Sequence, residues 1–214
     1  MIPEKLQNIT KQDGVVAIAT LGADGPHPVN TRNSHLNDQL SAGKSGWEDI
    51  GIIPATQDSQ LADIADLAGR IWRVCYPGII SPAQIQYMLA QMYSLDTLHA
   101  EIRTQKVRFH QLLVDGRLTG FAAIGPTGTP GVLKLHKLYI APESHGLGLG
   151  KRLLNHCEAE AAKNGARRLI LAVNKRNARA IAFYQRNGLA IIESVVSEIG
   201  GGFVMADFIM AKEV

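Results

Sequence analysis

The stretch of this 214-residue chain with the most chemical meaning runs from Leu138 to Leu154. An apolar run ending Leu138-Tyr139-Ile140 passes into His145-Gly146-Leu147-Gly148-Leu149-Gly150-Lys151, with glycine at alternate positions, and then into an amphipathic pattern. Glycines let the backbone take dihedrals that other residues avoid and approach a ligand closely. A helix opening at the end of such a loop offers free amides and a positive dipole end to an anion. Lys151 and Arg152 add positive charge. The chemistry implied is the binding of a phosphate or pyrophosphate. Two common cradles are excluded. A dinucleotide fingerprint needs GxGxxG in a βαβ unit and an acidic residue about twenty positions on. A P-loop needs Gly-Lys followed by Ser or Thr, whereas Arg152 follows Gly150-Lys151 here. The two cysteines, Cys75 and Cys157, form neither a CxxC nor a zinc pattern. They read as small core residues rather than nucleophiles or metal ligands, in a reduced cytoplasmic protein.

The elements around this loop follow from periodicity. Ile50–Ile53 reads as a short strand closed by Pro54. Asp58 or Ser59 caps a helix with apolar positions Leu61, Ile64, Leu67, Ile71 and Val74, at three- and four-residue steps. Ser81-Pro82 starts a second helix, through Tyr87 and Met88, with a hydroxyl cap and proline in the first turn. Leu95–Thr104 is a third. Val107–Val114 and Leu118–Ile124 flank Asp115-Gly116, a tight hairpin signal. Val132–Ile140 is the strand that enters the glycine loop. A helix follows over about Leu149–Lys163 and ends at Asn164-Gly165. Leu169–Val173, a short helix over Ala178–Arg186, and strands Leu189–Val196 and Phe203–Met210 complete the chain. The order mixes β and α, with hairpins and a central strand–loop–helix–strand unit: an α/β (α+β) domain.

A second block, Leu169-Ile-Leu-Ala-Val-Asn-Lys-Arg-Asn-Ala-Arg-Ala-Ile-Ala-Phe-Tyr-Gln-Arg-Asn-Gly-Leu189, joins the glycine loop. Together the two blocks resemble the GNAT superfamily of acetyl-CoA-dependent N-acetyltransferases over roughly residues 47–214. The overall pattern, including Asp207-Phe-Ile-Met-Ala-Lys212, is similar to bacterial spermidine/spermine acetyltransferases. The resemblance implies a mixed, mostly antiparallel sheet with a splayed central strand pair and flanking helices. It implies acetyl-CoA as cosubstrate, with the pyrophosphate on the amides of Gly146, Leu147, Gly148, Leu149, Gly150 and Lys151. His145 stands where the family's loop has Gln or Arg, which puts a side-chain contact in doubt. Leu138, Tyr139 and Ile140 would pair with the pantetheine arm like an added strand, and an amide near Tyr139 would stabilise the oxyanion. Asn177 would bond a pantetheine amide, with Ala180 and Phe183 beside the cofactor. Tyr184 matches the tyrosine that protonates the departing thiolate. His136, in a Leu-His-x-Leu stretch similar to that of arylalkylamine N-acetyltransferases, is the candidate base; an ordinary half-buried histidine is the alternative. Being two residues before Leu138, it is expected on the same strand face. Glu143 and His145 are weaker choices.

The acceptor is less defined. Trp72 and Tyr76, four apart, could flank an amine, with Tyr87 near them. Glu48, Asp49, Glu193, Glu198 and Asp207 offer carboxylates for ammonium groups, although such charges on strand edges are usually solvated. A polyamine, another small amine or a peptide amine is compatible; a non-catalytic CoA- or flavin-binding regulator is the rival class. The net charge of +3 conceals a basic block, residues 103–186, with fifteen Lys and Arg against four Asp and Glu. It covers both motifs, so coenzyme A phosphates are its expected partner. The block lacks the stacking aromatics of a nucleic-acid groove. No apolar run is long enough to span a bilayer, and the opening residues lack a secretory pattern. Residues 1–37, with one strand-like run at Val15–Thr20, resemble the opening of the flavin-binding split-barrel family related to pyridoxamine phosphate oxidases. Residues 1–46 are expected to be an appendage too short to enclose a flavin, so FMN is not expected as a cofactor. A homodimer is compatible with the resemblance.

Overall fold

The computed structural model describes residues 49–214 and the backbone of Ala19–Thr20. The expectation of an appendage over residues 1–46 therefore lies, those two residues apart, outside the described part. In chain order the elements are β1 (Ala19–Thr20), β2 (Ile50–Pro54), α1 (Asp58–Cys75), α2 (Pro82–Met92), α3 (Leu95–Arg103), β3 (Arg108–Val114), β4 (Arg117–Pro126), β5 (Val132–Ile140), α4 (Leu149–Lys163), β6 (Arg168–Asn174), α5 (Ala178–Arg186), β7 (Ala190–Gly200) and β8 (Phe203–Glu213). The sheet runs β2-β3-β4-β5-β6-β8-β7, with β1 set against β5. Its pairs are antiparallel except β5–β6 and β1–β5. This is the expected mixed sheet. No helix among the described residues is long and apolar enough to cross a membrane.

Local chemistry explains most boundaries. The Ser81 hydroxyl accepts the Gln84 amide at 3.2 Å, and Pro82 fills the first position of α2, where its missing N–H is harmless. Ser94 caps α3 in the same way, taking the Thr97 amide. Helix α1 differs from expectation: it begins at Asp58 itself, and Gln60 reaches back to the amides of Thr56 and Gln57 at 2.9 and 3.0 Å. A glutamine three residues into a helix thus does what an N-cap carboxylate was expected to do. Asp115 and Gly116 both have positive φ, 48° and 74°, the backbone that a two-residue hairpin between twisted strands requires. The last hairpin is longer than its apolar pattern indicates, because Gly200, Gly201 and Gly202 all take positive φ and carry the turn.

The sheet separates two cores. On one face Phe121, Tyr139, Ala172, Met205 and Ile209 pack against the side chains of α1, α2 and α3. On the other, Leu138, Ile140, Leu171 and Val173 pack against those of α4 and α5. The β5–β6 ladder holds only at Val132–Lys134 against Arg168–Ile170. Beyond it the two strands part, as expected of the central pair. The β4–β5 register also shifts: Ala123 faces Lys137 and Ile124 faces Leu135, so His136 is the extra residue of a bulge. Bulges bend a strand and re-aim side chains.

Beside the bulge lies a buried ion pair. Lys137 is fully buried, and its ammonium meets both carboxylate oxygens of Glu101 on α3 at 2.6 and 2.7 Å. The ammonium also lies 5.2 Å from the Phe109 ring centre and 5.7 Å from that of Tyr93. Burial pulls the Lys137 pKa down, and the Glu101 carboxylate opposes it. The pair fastens α3 to β5 where the sheet begins to open. Replacing Lys137 with Met strands a buried carboxylate and should destabilise the fold by roughly 3–5 kcal/mol. The double change Lys137→Met, Glu101→Leu should recover most of that loss; denaturant midpoints of the three proteins check both expectations.

Candidate active site

The loop between β5 and α4 is built by glycine. Gly146 and Gly148 have φ of 80° and 73°, left-handed values that favour glycine. Gly148 caps α4 without a side-chain bond. The first amides of α4 therefore lack a side-chain partner at the cap, in the chemistry that suits an anion. They border a cleft of about 280 Å³ lined by Ile140, Ser144, His145, Gly146, Gly148, Leu149, Gly150, Lys151, Phe183, Arg186 and Asn187. Lys151 and Arg186 supply cations from two different helices. Arg186, three residues after Phe183, was not among the expected cofactor residues; the i, i+3 spacing on one helix face is the signal that would have found it. A larger groove of about 680 Å³, between the end of α1 and α2, shares no residue with this cleft.

His145, the departure from the family's loop pattern, turns back to β5. Its Nε2 lies 2.9 Å from the Ile140 carbonyl. Burial lowers its pKa, against the raising effect of that carbonyl, so the ring is neutral at neutral pH and donates Nε2–H. It ties down the start of the loop and is not placed to act as a base. Glu143 is likewise engaged, in an exposed ion pair with Arg70 at 3.4 Å.

Above the short β5–β6 ladder, the splayed edge of β5 carries Leu138 and Tyr139. In this structure β1 lies there, pairing in parallel at Ala19 with Leu138 and Thr20 with Tyr139. That edge of β5 thus accepts an extended segment as an added strand. Helix α5 packs beside β1, so an occupant of the slot lies against α5. Tyr184 on that helix is 1 % exposed, and burial, then the neighbouring Tyr139 and Cys157, push its pKa well up. It is protonated at neutral pH. Phe183 packs edge-on to it at 5.3 Å and reaches the cleft. Ala180 is fully buried beneath. Asn177 caps α5, its Oδ1 accepting the Ala180 amide at 3.2 Å, so that oxygen serves the helix rather than an arm in the slot. Cys157 is buried and its thiol is pushed up to about 12. It is no nucleophile at neutral pH.

The remaining sequence candidates fall on the opposite face of the sheet. His136 does not share the face of Leu138. The bulge turns it toward α1–α3, with Nε2 3.2 Å from where a Cβ on Gly125 would stand and Val107 beside that point. It is 2 % exposed with no partner on either ring nitrogen. Burial, then Lys134 and Lys137, depress its pKa, so the ring is neutral. Trp72 and Tyr76 do not form a cage. Both are fully buried, with ring centres 4.6 Å apart and planes 20° apart. Stacked rings leave no space between them for an amine. They join Tyr93 and Tyr139 in a cluster of buried rings. Tyr87 is half-buried and donates to the Ile199 carbonyl at 3.1 Å, fixing α2 to β7. Asp207, one of the carboxylates offered for an acceptor's ammonium groups, is buried on this face.

The cradle is testable directly. Gly148→Glu forces a side chain into a left-handed φ and puts a carboxylate against the helix N-terminus. Coenzyme A affinity should fall at least about a hundredfold, while the far-UV circular dichroism stays that of the parent; calorimetry checks it, and unimpaired binding refutes the cradle.

The profile of the Acetyltransferase (GNAT) family matches residues 66–189. A spermidine N(1)-acetyltransferase of Thermoplasma acidophilum is 29 % identical over 157 residues, 72 % of this chain and 91 % of the relative. The crystal structure of PaiA N-acetyltransferase from the same organism, in complex with coenzyme A, superposes with a TM-score of 0.65 at 25 % identity, covering 78 % of this chain and 99 % of that one. A stretch of 36 residues, 17 % of the chain, is 58 % identical to an FMN-binding protein of Nitratidesulfovibrio vulgaris and covers 30 % of it. With the glycine cradle, the splayed strands and these relatives together, the chain belongs to the GNAT family of acetyltransferases, as an acetyl-CoA-dependent N-acetyltransferase.

Proposed function

We propose that the protein transfers an acetyl group from acetyl-CoA to a small primary amine by direct attack in a ternary complex. The observation that carries this reading is the placement of Tyr184. It is a protonated, buried phenol on the helix that flanks the slot, on the same side as the cradle. The cradle amides and Lys151 and Arg186 would hold the pyrophosphate, and the β5 edge at Leu138–Tyr139 would align the arm. A backbone amide there would take the charge that develops on the thioester oxygen. The amine would approach from the α1–α3 face, where His136 stands neutral and able to accept its proton. As the carbon–sulfur bond breaks, the Tyr184 hydroxyl would give its proton to the thiolate. A small cationic acceptor such as a polyamine is supported by the likeness to a spermidine N(1)-acetyltransferase. Residues 47–214 would constitute the catalytic domain.

Tyr184→Phe removes the proton and keeps the packing. Turnover with acetyl-CoA and an amine should drop about a hundredfold, with coenzyme A affinity within about threefold of the parent. Thiol release in an amine panel measures the first and calorimetry the second; unchanged turnover removes the acid role.

A further inference from the structure

Asp207 lies on β8 directly across from Asn174, the last residue of β6. It shares the first core's face with Met205 and Ile209, two residues to either side. It is 2 % exposed, and its Oδ1 has no hydrogen-bond partner. A carboxylate taken from water without a full set of partners is costly. Burial accordingly pushes its pKa up to about 7, against the opposing pull of Lys134 on β5 and Lys175 just after β6. Those two lysines are the charged groups that act on it. From β6 it faces Asn174, whose Oδ1 accepts the Arg176 amide at 2.9 Å. From β7 it faces Val195. On α2, the Gln84 amide is engaged by the Val204 carbonyl and the Met205 sulfur. Oδ1 itself is left without a hydrogen-bond partner.

The position says what could supply it. The reacting nitrogen must enter the slot between β5 and β6. Asp207 stands one strand further on, and neighbouring strands are about 4.8 Å apart. We propose that Asp207 is the specificity-determining residue for the acceptor: it takes a second ammonium group, about one strand spacing from the nitrogen that is acetylated, and so selects diamines and polyamines over monoamines. The proposal rests on the acetyl-transfer reading above.

The test is calorimetry on the full-length protein saturated with coenzyme A, titrated with spermidine and separately with butylamine. The parent should bind spermidine roughly ten- to a hundredfold more tightly than butylamine. Asp207→Asn should remove most of that preference, and Asp207→Glu should keep part of it. Spermidine affinity of the parent should weaken as pH falls through about 7, because the protonated carboxyl no longer attracts a cation; the Asn variant should lack this dependence. No preference in the parent, or the same preference and pH profile in the Asn variant, overturns the proposal. If the Asn variant fails to fold, the parent's pH profile and the Glu variant decide. Thiol release from acetyl-CoA is scored separately, so failure of acetyl transfer is distinguished from failure of acceptor recognition.

Discussion

Everything functional in this protein depends on the separation of β5 from β6. A buried strand edge must find partners for its N–H and C=O groups, yet the parallel ladder between these two strands ends at Lys134 and Ile170. The edge past that point is a standing demand for another extended chain. In this structure β1 meets part of it, at Leu138 and Tyr139. A pantetheine arm has the amides to meet the same demand. The opening is maintained from both faces. The bulge at His136 and the Lys137–Glu101 pair hold β5 to α3 on one side, and α4 and α5 wedge the other with Leu153, Cys157 and Tyr184.

The two faces are built for opposite charges. The cradle side has left-handed glycines, an uncapped helix start and cations on two helices, all suited to phosphates. The other side holds its ionisable groups out of water: a neutral His136, a Lys137 matched to Glu101, and an Asp207 whose Oδ1 is unmatched. In the proposed reaction, a strand pair that opens between them would let an anionic donor and a cationic acceptor meet without sharing a surface. Tyr184 belongs to the donor side, where a leaving thiolate would need a proton.

Much of the site was legible because it is local. The glycine loop, Lys151, the Asp115-Gly116 turn and the Ser81 cap are each set by a few consecutive residues, and each appears where the sequence placed it. Features that depend on pairing between distant strands were not legible. Alternation put His136 on the face of Leu138, but a one-residue bulge against β4 reverses it. The four-residue step from Trp72 to Tyr76 suggested rings flanking an amine, yet they stack on each other. Asp207 was indistinguishable from Glu193 or Glu198 until β8 was seen between two strands beneath the helices.

By itself the sequence determined the mixed α/β order, the glycine loop and the family, because glycine dihedrals, caps and apolar periodicity are short-range constraints. Tertiary structure alone decided where β5 and β6 part, which face each charged residue occupies and which carboxylate is buried. Those outcomes are set by register and desolvation, which arise only when residues such as Lys137 and Glu101, or Asn174 and Asp207, are brought together across the sheet.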